Sequence, residues 1–95
     1  MASTWSFLTN HARALLFVAS NPDTRLRDLA LELDVTERTA FGIIADLTAA
    51  GYVVKTKDGR RNRYQVRTDL PLPDSGYERP IGEVLDLLID ARARR

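Results

Sequence analysis

Apolar positions along the chain form four stripes at helical spacing and one alternating stretch. Thr9 is suited to cap a first helix, in which Ala12, Leu15, Leu16 and Ala19 recur on one face until Asn21-Pro22 stops the pattern. Leu26, Leu29, Ala30 and Leu33 fit the i, i+3, i+4, i+7 template, so Arg25 to Leu33 holds a short second helix, entered through an extended piece at Thr24 to Leu26. Asp34-Val35 breaks it, because Asp tolerates the left-handed backbone that a tight interhelical turn requires. Thr36 caps a third helix running to Ala50, with Glu37 in its first turn, a stripe of Ala40, Ile43, Ile44 and Leu47, and Gly51 as its stop. Tyr52-Val53-Val54 and Arg63-Tyr64-Gln65-Val66 flank the turn signal Asp58-Gly59, which predicts a β-hairpin over 52–67. From Asp69 to Pro80, three prolines and Gly76 predict a surface linker. Ile81, Val84, Leu85, Leu88 and Ile89 then give a terminal helix that ends in the basic Ala91-Arg92-Ala93-Arg94-Arg95.

Length and composition bound what these elements can build. Ninety-five residues, 44% of them apolar, suit one compact core. With no Cys, the chain forms neither disulfides nor thiolate metal sites, and the single His11 assembles no His-rich centre, so no metal or cofactor is expected. No Ser-His pair, Gly-rich phosphate loop or metal-ligand cluster accompanies the carboxylates of the second helix, so no enzyme is expected either. The longest apolar run, Ala14 to Ala19, is six residues, against the roughly 20 that span a bilayer. His11 and Arg13 sit directly against that run and no Lys or Arg lies further ahead of them, unlike the charged start of a signal peptide, so the reading is a soluble cytoplasmic protein. Trp5, Phe7 and Leu8 are large apolar groups on a short chain end, suited to a partner.

Net charge is +1, but its distribution is uneven: residues 51–68 hold six basic side chains against one acidic and carry +5. A basic stretch inside a near-neutral chain suits a focused anion contact; a solvated hairpin is the plainer reading.

Helix, short helix, tight turn, capped longer helix, Gly and a basic hairpin is the order of a helix-turn-helix followed by a wing. Leu26 to Val66 resembles the winged helix-turn-helix of small bacterial transcriptional regulators, of the broad kind to which the MarR and ArsR groups belong. The resemblance rests on Leu29-Ala30 before the turn, Val35 to Thr39 opening the third helix, Ala50-Gly51-Tyr52-Val53 closing it, and Gly59 to Tyr64 in the hairpin. It implies a mainly α fold with a small β-hairpin: a three-helix core plus wing over 1–68, a linker over 69–80, and an additional C-terminal helix over 81–95.

The residue pattern agrees with that fold's way of meeting DNA. At about 100° per residue, the third helix buries Ala40, Ile43, Ile44 and Leu47 and bares Arg38, Phe41, Gly42, Ala45 and Ala49. Expected contacts from this recognition helix are Thr36, Glu37, Arg38, Thr39, Phe41 and Gly42. Arg38 suits a bidentate bond to guanine, and Thr39 a thymine methyl or a phosphate. Phe41 either meets a thymine methyl or packs on the wing. Lys57, Arg60, Arg61, Asn62 and Arg63 are expected on phosphates or in the adjoining minor groove. Relatives of the pattern place Gly at Asp34, a larger aliphatic at Ala40, and polar or basic residues at Phe41 and Gly42. Asp46 on the helix flank would repel phosphate and is expected to point away.

The function expected is a sequence-specific double-stranded DNA binder that regulates transcription as a homodimer on a palindromic operator. Trp5, Phe7, Ile81, Val84, Leu85, Leu88 and Ile89 are the expected dimer contacts, because they exceed what a small winged core covers. Two alternatives stay open. The last helix can fold back on the first, and the module can serve protein interaction through Phe41-Gly42 rather than DNA.

Overall fold

A computed structural model of the chain describes residues 5–73 and 76–93, and the basic end Arg94-Arg95 lies outside them. Three helices come first: α1 (Asn10–Ser20), α2 (Leu26–Leu33) and α3 (Glu37–Ala49). Each boundary has a local cause. The Thr9 hydroxyl accepts from the Ala12 N–H at 3.1 Å and starts α1. Asn21 ends it, its backbone N–H on the Phe17 and Val18 carbonyls and its Nδ2 on Phe17 O. Asp34 ends α2 in the left-handed region at φ 57°, and Gly51 follows α3 at φ 88°. Both positions close a Schellman motif. The Val35 N–H reaches Ala30 O, and the Tyr52 N–H reaches Leu47 O, each at 3.0 Å. Asp34 therefore does what glycine does elsewhere, at a cost of about 1 kcal/mol for its Cβ.

Strands β1 (Val53–Asp58) and β2 (Arg61–Val66) pair antiparallel from Val53 opposite Val66 to Asp58 opposite Arg61. The connection is Gly59-Arg60, with Gly59 at φ 66° supplying the positive φ that a two-residue hairpin turn needs. One face of the ribbon carries Val53 and Tyr64, both buried in the core formed by α1, α2 and α3. Leu29, Val18 and Val53 are its largest fully buried side chains.

The segment expected to be a linker is fastened to the domain at both ends. Leu70 packs against the core, the Tyr52 hydroxyl donates to Pro71 O, and Pro71 bridges Pro80. The backbone N–H groups of Ile81 and Gly82 donate to Leu70 O at 2.6 Å and Thr68 O at 3.0 Å. Prolines keep regular structure out of this stretch, yet they leave its carbonyls free to accept these bonds.

Helix α4 (Ile81–Ala93) packs against α1. Ile81 and Leu85, expected at a dimer interface, are buried in the chain's own core at 7% and 5% exposure. Leu88 and Ile89 are half-buried against it, as the folded-back arrangement requires. The entry of α4 is tight: a Cβ added at Gly82 would lie 2.7 Å from Thr68 Cβ and 2.9 Å from Thr68 O. Gly82→Ala must displace backbone and is expected to destabilise the fold by about 1 to 3 kcal/mol. Urea denaturation measures this, and an unchanged midpoint would show that α4 docks loosely.

Candidate nucleic-acid interface

Helix α3 buries Ala40, Ile43, Ile44 and Leu47 and leaves its first turn bare. The Thr36 hydroxyl accepts from the Thr39 N–H at 3.1 Å and donates to Thr39 Oγ1 at 3.0 Å. Thr36 is thus spent on shaping the helix entrance, and Thr39 keeps its own hydroxyl proton for an outside acceptor. Glu37 and Arg38 are exposed beside it, and Arg38 makes no hydrogen bond or ion pair among the described residues. Its five N–H donors stand ready at the projecting end of the helix.

Further along, Phe41 is 59% exposed and faces the wing across an open cleft of about 530 Å³. Arg25, Lys55, Arg60, Arg61 and Asn62 share that lining. Gly42 lies on the outer face with nothing within 4 Å of where a Cβ would be. Asp46 turns to α1, where His11 Nε2 donates to its Oδ2 at 2.8 Å. That contact holds the one carboxylate on the later turns of α3 against the helix bundle.

The wing cations divide into two groups. Lys55, Lys57 and Arg60 are exposed and make no hydrogen bond or ion pair among the described residues. Lys57 and Asn62 pair across the strands near the turn. Arg61 and Arg63 are also exposed, but both meet Asp23 in the middle of the α1–α2 loop. Arg61 Nη2 donates to Asp23 O at 3.0 Å, and Arg63 Nη1 lies 3.2 Å from Asp23 Oδ1. Arg67 grips Asp69 with Nε and Nη2 at 3.1 and 2.9 Å. These hydrogen bonds, helped by the positive charge of Arg67, hold the Asp69 carboxyl below the usual carboxylate range.

Three of these residues carry no signal in the sequence. Asp23 and His11 act through partners 38 to 40 and 35 positions away, and Arg25 reaches the cleft only because α2 begins beside the wing. No helix among the described residues is long and apolar enough to cross a membrane.

Two helices joined by a left-handed turn, the second baring Arg38 in its first turn, and a basic hairpin beside it define a winged helix-turn-helix of the DNA-binding class. The MarR family model matches residues 6–63, from just ahead of α1 through α2 and α3 into β2, and the chain belongs to the MarR family. The family is one of DNA-binding transcription regulators, not enzymes, whose members typically act as dimers. No match was found among curated proteins.

Proposed function

We propose that the chain binds specific double-stranded DNA sequences with α3 in the major groove and the wing on the backbone or in the adjoining minor groove. The observation that supports this is the shared bareness of Arg38 on α3 and of Lys57 and Arg60 on the wing: among the described residues, none of the three has a protein partner. Glu37 and Thr39 flank Arg38 at the base edges, and Asn62 adds an uncharged donor beside Lys57. Binding selection from random duplexes tests the reading, with an enriched palindrome as the expected result. Absence of any enriched sequence would refute it and favour a protein-interaction module built on Phe41 and Gly42.

Gly42 gives a second, independent check. A mid-helix glycine whose Cβ would meet nothing serves no packing need within the chain, so Gly42→Ala should stabilise the fold by about 0.5 to 1 kcal/mol. If duplex is what approaches the backbone there, the same substitution weakens duplex binding. Tighter folding with unchanged duplex affinity would place the middle of α3 outside the groove.

A homodimer completes the proposal, acting in the cytoplasm on a two-fold operator. With Ile81 and Leu85 taken by the core, the edge of α4 left for a partner is Val84, Leu87, Leu88 and Ala91, again at i, i+3, i+4, i+7. Leu87 is 71% exposed, and Trp5 and Phe7 are more than 70% exposed at the other end of the chain. Leu87→Glu is expected to yield monomers by light scattering at tens of micromolar while leaving the fold intact. A dimer that survives it would move the interface off α4.

A further inference from the structure

The wing of this chain is a two-stranded ribbon, and a ribbon of two strands has little stability of its own. One face is held by Val53 and Tyr64 in the core, while its far end, where the cations lie, extends past the last buried pair. What fixes the direction of that end is a set of contacts to one corner, Pro22-Asp23. The Tyr64 N–H donates to Pro22 O at 3.0 Å, Arg61 Nη2 to Asp23 O at 3.0 Å, and Arg63 Nη1 pairs with Asp23 Oδ1 at 3.2 Å. The corner is itself anchored, because Asn21 just before it caps α1 and the Thr24 N–H returns to Asn21 O at 3.0 Å.

We propose that Asp23 is a wing-positioning residue, that Arg61 and Arg63 serve it by locking β2 to the end of α1, and that the wing's phosphate contacts fall to Lys57 and Arg60. This rests on the DNA-binding reading above for its second half only; the lock itself is a property of the free protein. Charge supports the division. Arg63, if it left the Asp23 carboxylate for a phosphate, would strand that carboxylate beside a polyanion, and Arg61 would give up its bond to Asp23 O, whereas Lys57 and Arg60 reach phosphate without giving up any partner. Geometry supports it too. Arg61 and Arg63 lie two apart on β2 and so leave the ribbon on the same side, the side turned to Asp23.

The test uses the full chain and two readouts. The first is amide exchange at Tyr64 without DNA. Asp23→Asn and Arg63→Ala should each speed it about two- to five-fold, the range for losing one exposed ion pair, and the double variant should go no further than either alone. The second is the salt dependence of duplex binding. Arg60→Ala should reduce the log–log slope by about 0.9 per protomer bound. Arg63→Ala should weaken binding about two- to five-fold at every salt concentration and leave the slope where it was. A slope that falls for Arg63→Ala as it does for Arg60→Ala would overturn the proposal, as would an unchanged Tyr64 amide in both single variants. A parent chain that binds no duplex, with Tyr64 exchange still responding, would instead defeat the DNA reading and leave the lock standing.

Discussion

Replacing Arg38 with alanine will cost about 1 to 3 kcal/mol of affinity for the preferred duplex and will flatten base preference at one position in each half-site. The reason lies in what else the exposed face of α3 offers. Thr36 is committed to the cap, Thr39 offers one short hydroxyl, Gly42, Ala45 and Ala49 carry no side-chain donors, and Asp46 is held by His11. Arg38 is therefore the one long donor on that face, and no neighbouring side chain substitutes for it. Because it is exposed and makes no hydrogen bond or ion pair within the described residues, the fold should melt as the parent does. Competition binding against single-base variants of the selected site reads the effect. Equal losses on every duplex would make Arg38 a phosphate contact, and no loss at all would mean that α3 does not enter the groove by its first turn.

Leu85→Ala will lower stability by about 2 to 4 kcal/mol, the usual range for a truncated core leucine. For a domain of this size that corresponds to roughly 10 to 25 °C in Tm. The side chain is 5% exposed within a single chain, packed in the same core as α1. The loss should therefore be the same at low and high protein concentration, whereas a residue at a subunit interface would give a concentration-dependent Tm. Thermal denaturation across a hundredfold range of concentration separates the two, and a loss confined to the dilute samples would return Leu85 to the interface.

The helices and hairpin were legible because their signals are local. Thr9 and Thr36 precede the stripes they cap, Asp58-Gly59 lies between two β-rich runs, and the αL demand at Asp34 can be met by Asp within its own turn. Boundaries shifted by one residue: α2 starts at Leu26 rather than Arg25, and the paired strands span Val53 to Val66 inside the expected 52–67. The placing of α4 was less legible. A stripe such as Ile81, Leu85, Leu88 states that a face must be covered but not by what, and here α1 covers it. The cations of the wing show the same limit. Charge and spacing put Arg61 and Arg63 beside Lys57 and Arg60, but only the fold brings Asp23 within 3.2 Å and separates them. His11 and Asp46 meet for the same reason, across 35 positions of sequence.

The attachment of α4 has a consequence for how signals could pass through so small a protein. Thr68 accepts the Gly82 N–H only two residues beyond Val66, where the wing's pairing ends, and the Arg67 N–H between them donates to Tyr52 O at 2.8 Å, next to the start of β1. The last helix and the wing are thus linked through a few backbone bonds. A partner or small molecule that prefers one seating of α4 would then act on the wing as a lever, and duplex held by the wing would act back on that partner. Linkage requires the two effects to be equal in free energy, so occupancy at one end could be read as a change in affinity at the other.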